Sequence, residues 1–392
     1  MKKILAVFLA LTLAFSFKTI TFAGYEGKNP AENNYLATGA DFDFDVEGAY
    51  LCEATTGKVL YCENEFRPCA PASVTKIMTL LLVCEALEDG NYSLSDTVRI
   101  SAHAASMGGS QVFLEEGERI TVEDLIKSTV IASGNDSAVA LAELTSGSEG
   151  AFVKMMNKRA VELGLKNTSF ENVTGLDDTV TNHYSCAADI AAMSKELIKY
   201  DIILKYSSIW QDTIRDGEFT LTNTNRLVRY YEGCNGLKTG STDKAGYCIS
   251  ASAKRGNLQL IAVVMGAETR DKRNDAAREL LDFGFANYSL LELGGNFLEE
   301  CDVTFGVADK IPLYSTKFQT VIEKSKINKI ESYYEIPEHL VAPIKKGDVV
   351  GKIIYKSDGL QIGFSEVYSD GDVKKITFMY LFGEIIERII KG

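Results

Sequence analysis

Ala70-Pro71-Ala72-Ser73-Val74-Thr75-Lys76-Ile77-Met78-Thr79-Leu80-Leu81-Leu82-Val83 is the stretch on which the reading of this chain turns. Pro71 sets the backbone ahead of a first helical turn, Ser73 lies in that turn, and from Ile77 the side chains are apolar on every side. A helix without a polar stripe is buried. It carries Ser73 and Lys76, one turn apart on one face, to where the amine reaches the hydroxyl. A serine hydroxyl is a weak nucleophile and needs a base, and a lysine serves only where burial or a nearby cation lowers its pKa. Ser241-Thr242-Asp243-Lys244 repeats the spacing, but in a polar stretch with no helix to align it, so Ser73 is the preferred nucleophile.

Two more stretches supply what a serine and a lysine lack. Thr121-Val122-Glu123-Asp124 opens a helix in the manner of a capping box, and its apolar run ends near Ala132. Ser133-Gly134-Asn135 therefore falls in the turn before the next helix, Asp136 to Leu144. There a hydroxyl and an amide are suited to relaying a proton and orienting a substrate amide. Lys238-Thr239-Gly240 precedes a pair of apolar, β-prone runs, Ala245 to Lys254 and Leu258 to Ala267, joined at Arg255-Gly256-Asn257. A strand edge offers backbone groups to an extended peptide, Gly240 permits close approach, and Lys238 with Thr239 can hold a carboxylate.

Around these motifs the pattern divides the chain. Residues 1–23 begin with Lys2 and Lys3, continue through an apolar run from Ile4 to Phe17 and end in Thr-Phe-Ala, which reads as a signal peptide: the run is shorter than the ~20 residues a spanning helix needs. Residues 24–45 are polar and acidic and read as a linker. Strands at Gly48–Glu53 and Lys58–Glu63, a largely helical stretch from Val74 to Lys205, the strand pair and a closing helix from Asp275 to Phe285 make one α/β (α+β) domain with an antiparallel sheet, residues 46–288. Short alternating segments split by Gly, Asp and Lys make a small all-β domain, 290–374. Residues 375–392 form an amphipathic helix, with Leu381, Phe382, Ile385, Ile386, Ile389 and Ile390 opposite Glu384, Glu387, Arg388 and Lys391.

The formal charge is −13, and removal of residues 1–23 takes three lysines and no acid, leaving −16. So acidic a chain is no nucleic-acid binder, because phosphate recognition needs clustered Lys and Arg. The eight cysteines contain no C-x-x-C and only three histidines accompany them, so no metal site is expected. A three-residue turn through Thr55-Thr56-Gly57-Lys58 would set Cys52 opposite Cys62, at disulfide distance.

Taken together, the runs Ala70 to Lys76, Ile131-Ala132-Ser133-Gly134-Asn135-Asp136, and Gly236-Leu237-Lys238-Thr239-Gly240-Ser241-Thr242-Asp243-Lys244-Ala245-Gly246-Tyr247 resemble the low-molecular-weight penicillin-binding proteins, the serine D-alanyl-D-alanine carboxypeptidases of peptidase family S11. Asn172-Val173-Thr174-Gly175-Leu176 and His183-Tyr184-Ser185 are similar too, and the likeness runs from about Val46 to Gly392. It implies a penicillin-binding/β-lactamase-like transpeptidase domain, then the all-β domain and the terminal helix; that helix, too short to span and carrying charges, is expected to lie on a membrane surface, the alternative being that it docks on the β domain. The implied substrate is a peptidoglycan stem peptide ending in D-Ala-D-Ala, with β-lactams as covalent inhibitors and no cofactor. Ser73 would attack the penultimate carbonyl with Lys76 as base, and Ser133 and Asn135 would assist proton transfer and placement. Lys238, Thr239 and Arg273 would bind the terminal carboxylate beside Gly240, and the N–H groups of Ser73 and Ser241 would form the oxyanion hole. Asn235, where many relatives carry Asp, and Val173-Thr174, in place of a Pro-His-like pair, depart from the pattern. A class A β-lactamase shares the three motifs but would need a deacylating Glu-x-x-Leu-Asn run, which is absent between Asn135 and Lys238. A dead penicillin-fold scaffold is the non-enzyme alternative, and intact Ser73, Lys76 and Lys238 weigh against it.

Overall fold

The computed structural model describes residue 40, residues 42–178 and residues 180–391. The signal-peptide stretch and most of the linker lie outside the described residues. Residues 42–45 pack on the first domain: Phe42 and Phe44 stack at 4.7 Å, and Phe42 meets Tyr61 and Phe283 edge-on.

The first domain is built on a five-stranded antiparallel sheet of β1 (Gly48–Glu53), β2 (Val59–Glu63), β3 (Cys234–Thr242), β4 (Gly246–Arg255) and β5 (Leu258–Ala267), in the order β2-β1-β5-β4-β3. Strand side chains alternate between faces, and both faces of this sheet are buried. On one side Leu260, Ala262 and Val264 meet Ala277, Leu280 and Leu281 of the closing helix Arg270–Asn287. On the other, Ile261, Val263 and Met265 join the core of the helical region. Apolar residues at consecutive positions of β5 follow from that double burial.

The helical region centres on α1 (Lys76–Glu88), in which ten of thirteen residues are buried, so its lack of amphipathic character reflects a position inside the core. Ahead of it a single 3₁₀ turn, Ala72–Thr75, carries Ser73. The helix α2 (Val122–Lys127) is capped by the Thr121 hydroxyl, which accepts from Asp124 N at 3.1 Å. It runs into a π-helical turn, Ser128–Ala132, and then α3 (Asn135–Ser146). The stretch expected to be helical also holds a small hairpin, Thr97–Arg99 with Arg119–Thr121.

One expectation is corrected. Cys52 and Cys62 do not face each other: Cys62 lies opposite Tyr50 and Cys52 opposite Val59, with a register shift between Leu51 and Cys52. All eight thiols are free.

Beyond the closing helix, which is numbered α4 (Arg270–Asn287), the chain forms a two-stranded sheet and a six-stranded sheet around Val303, Ile311, Leu313, Ile353 and Val367. The chain ends in α5 (Phe378–Lys391), which buries none of its residues.

Candidate active site

The turn that carries Ser73 is shaped by an uncommon backbone. Ala72 adopts φ +46, a left-handed conformation that costs an L-residue about 1 kcal/mol, and it turns the chain so that Ser73 faces a cleft. Gly175, at φ +83, makes room for this: a Cβ there would lie 1.7 Å from the Ala72 carbonyl oxygen. Ser133 repeats the device at φ +64, ending the π-helical turn, and is 4 % exposed.

Lys76 is wholly buried and its Nζ lies 2.9 Å from Ser73 Oγ, 2.6 Å from Asn135 Oδ1 and 3.0 Å from the Thr174 carbonyl. Burial, and next the charge on Lys238, hold this ammonium well below the usual lysine range; Asp136 pulls the other way. A neutral amine has two N–H bonds and one lone pair. The two carbonyl oxygens, which can only accept, take the N–H groups, so the lone pair is left for the Ser73 hydroxyl. In its neutral form the amine would therefore point its lone pair at the Ser73 hydroxyl, the arrangement a base needs.

Each partner of Lys76 is itself held. Asn135 donates through Nδ2 to the Gly108 carbonyl at 2.7 Å, which fixes its amide so that Oδ1 faces Lys76. The buried Asp136 accepts from the amides of Val112 and Leu114, pinning the loop that carries Ser110 into the cleft. Asn172 Oδ1 caps the Gly175 amide at 2.7 Å, and Thr79 Oγ1 donates to the Val173 carbonyl. Position 174 serves the site through its main chain, so the departure there leaves the contact to Lys76 intact. His183 Nδ1 accepts from the Glu171 amide, so Nε2 carries the proton and donates to Thr75 Oγ1 at 2.8 Å. Burial pushes its imidazole down to about 4, keeping it neutral.

Strand β3 is the edge of the sheet, and its Gly240 presses on the turn that carries Ser73: a Cβ there would lie 2.7 Å from the Ser73 amide nitrogen. Gly240 thereby brings Ser241, which is exposed, beside Ser73. Lys238 is buried, donates to the Thr239 carbonyl at 2.9 Å, and is pushed down to about 7 by burial and then by Arg273. Thr239 Oγ1 donates to Thr224 Oγ1 at 2.8 Å. The buried Arg273 holds Asn274 Oδ1 through Nε at 3.1 Å and a terminal nitrogen at 2.8 Å. Lys244, of the second S-x-x-K match, is exposed on the turn after β3.

Ser73, Ser133, Thr239, Gly240, Ser241 and Arg273 line one cleft of about 640 Å³. Lys76, Asn135 and Lys238 stand behind that wall. Sequence reasoning assigned no role to Asp136, Asn172, the Thr174 carbonyl, Arg226 or Arg270. Asp136 and Asn172 adjoin quoted motifs, but Arg226 and Arg270 carry no local signal.

The family model described as D-alanyl-D-alanine carboxypeptidase matches residues 36–269, and that of the penicillin-binding protein 5 C-terminal domain matches residues 285–375. The chain is 44% identical over 386 residues to the D-alanyl-D-alanine carboxypeptidase DacF of Bacillus subtilis, covering 97% of this chain and 96% of that one. Among solved structures, penicillin-binding protein 5 from Haemophilus influenzae superposes with TM-score 0.74 at 33% identity, covering 86% of this chain and all of that one. Penicillin-binding protein D2 from Listeria monocytogenes, solved in an ampicillin-bound form, gives TM-score 0.58 at 29% identity over 63% of this chain and 99% of that one.

Proposed function

Because the chain belongs to the peptidase S11 family of D-alanyl-D-alanine carboxypeptidases, we propose that its cleft removes the terminal D-Ala of peptidoglycan stem pentapeptides through an acyl-enzyme on Ser73. The observation that carries this reading is the Lys76 amine, buried, lowered in pKa and bound to Ser73 Oγ. Lys76 takes the hydroxyl proton as Ser73 Oγ bonds to the penultimate carbonyl carbon. The oxyanion rests on the N–H groups of Ser73 and Ser241, the terminal carboxylate on Lys238, Thr239 and Arg273, and Asn135 aligns the peptide. The C–N bond then breaks, Ser133 passes a proton to the departing D-Ala amine, and water hydrolyses the ester. A β-lactam presents a carboxylate and a reactive amide in the same order, so the same groups acylate Ser73 with it.

Mass spectrometry after incubation with penicillin is expected to place one adduct on the peptide containing Ser73. D-Ala release from a stem pentapeptide should disappear in step with its formation. An adduct on the peptide of Ser241, or release unaffected by full modification, would sink the assignment.

Export, the finer part of the reading, is supported by the basic-then-apolar start of residues 1–23. Attachment to a membrane surface is supported by α5. Among the described residues no helix is long and apolar enough to cross a membrane, and α5 leaves Ile385, Ile389 and Ile390 more than half exposed. An apolar stripe of that length lies in the interface and does not cross it. Deleting residues 376–392 should move the protein from membrane to soluble fractions while penicillin binding persists. Pelleting of the truncated protein with membranes would show that the anchor lies elsewhere.

A further inference from the structure

The cleft carries more positive charge than release of D-Ala requires. Arg226, Arg270 and Arg273 all line it, and no Asp or Glu does. None of the three forms an ion pair among the described residues, although the chain as a whole is strongly acidic. Arg270 and Arg273 stand one turn apart in the first turns of α4, at the positive end of its dipole, where a cation is least welcome. Arg270 is moreover among the charges that, after burial, push the Arg273 guanidinium down to about 10. An entering anion would relieve such repulsion, and a single terminal carboxylate would relieve part of it.

The place of the surplus charge follows from β3. Thr224 accepts from Thr239, so the segment ending in Arg226 flanks the Lys238–Thr239 end of the strand, whereas Gly240 and Ser241 abut Ser73. Arg229 lies over Trp210 at 5.2 Å and over Tyr230 at 5.5 Å, and both of those rings line the cleft. With a stem peptide placed as in the carboxypeptidase reading, these groups would flank the carboxylate of the departing residue and stand away from the acyl chain.

We infer that Arg226 and Arg270 form a second anion subsite on the leaving-group side, and that the enzyme releases dicarboxylic D-residues such as D-Glu at least as well as D-Ala. This rests on the carboxypeptidase reading above and extends it to the identity of the residue released. The bonds made and broken are unchanged: Ser73 forms the ester, the C–N bond breaks, the amine of D-Glu leaves with the proton that D-Ala would have taken, and water hydrolyses the ester. A second carboxylate meets the two exposed guanidiniums in charge-assisted hydrogen bonds.

The test measures kcat/KM with the full chain on two acyl-D-Ala-D-X peptides that differ only in X, D-Glu or D-Ala. The parent enzyme should give a D-Glu to D-Ala ratio of one or more. The ratio should fall about tenfold in Arg226→Ser with Arg270→Ser, recover in Arg226→Lys with Arg270→Lys, and shrink in the parent as salt rises. A parent ratio below about one tenth, or a ratio unmoved by the double serine variant, overturns the inference. The parent's ratio and its salt dependence decide the matter even where the double variant fails to fold. If the parent releases neither residue and takes no penicillin on Ser73, the carboxypeptidase reading fails as well; release of D-Ala with an unmoved ratio removes the second subsite alone.

Discussion

Lys76→Ala is expected to slow acylation of Ser73 by about 10³-fold, because it deletes the only amine within hydrogen-bond reach of that hydroxyl among the described residues. The loss has a signature in pH. On the proposed mechanism the parent's acylation requires the neutral amine, so the rate should rise as pH passes upward through the Lys76 pKa, well below that of an ordinary lysine. Below that pH the amine holds its proton and the rate falls. In Lys76→Ala this limb should vanish, leaving a slow, nearly flat profile. Because alanine also leaves a void and strands the Asn135 and Thr174 acceptors, Lys76→Met, which keeps most of the volume, provides the control for folding. Lys238→Ala should behave differently, weakening substrates with a free terminal carboxylate far more than their amides. A Lys76→Ala enzyme that acylates within tenfold of the parent, or equal losses on acid and amide in Lys238→Ala, would contradict the division of labour between the two lysines.

Gly175→Ala should be the most damaging conservative substitution in the domain. The new Cβ would overlap the Ala72 carbonyl oxygen and lie 2.8 Å from Thr75 Oγ1, at a φ that alanine disfavours. Both strain and overlap act on the backbone, which has no rotamer to escape into, so a loss of about 3 kcal/mol is expected. The overlap bears on the residue preceding Ser73 and on the loop that offers the Thr174 carbonyl. Acylation per folded molecule should therefore drop about 100-fold, as for a displacement of the nucleophile by about an ångström. Chemical denaturation reads the first effect and penicillin labelling kinetics the second. Parent-like values in both would mean that the 172–176 loop moves freely away from the turn that carries Ser73.

These two cases mark the limits of what the residues disclose in one dimension. Ser73 and Lys76 were legible because helical spacing alone puts them on one face, and β4 and β5 because apolar runs of strand length surround a turn. The Thr174 contact was not legible, since it uses a carbonyl that every residue possesses. Nor were the left-handed turns at Ala72 and Ser133, which are imposed by tertiary contacts such as the one at Gly175. Strand β3 extends through Gly236 and Gly240, which by propensity break strands, because its Gly240 has a close neighbour to admit. The Cys52 and Cys62 pairing failed because the turn closes between Glu53 and Lys58, which sets Cys62 opposite Tyr50, two residues from the expected register. Arg226 and Arg270 lie 44 residues apart, and only the fold brings them to one wall.

The contact between Gly240 and the Ser73 amide also sets what selection can do to this enzyme. An inhibitor that imitates the substrate exerts pressure on every residue it touches, but a side chain at 240 would strike main-chain atoms at 2.7 to 2.9 Å. A variant there that repels the drug also disables the enzyme. Heritable escape is therefore channelled to the exposed rim, to Tyr230, Arg226 and Arg270, where substitutions cost the fold little and alter the fit of ligands that reach beyond the scissile bond.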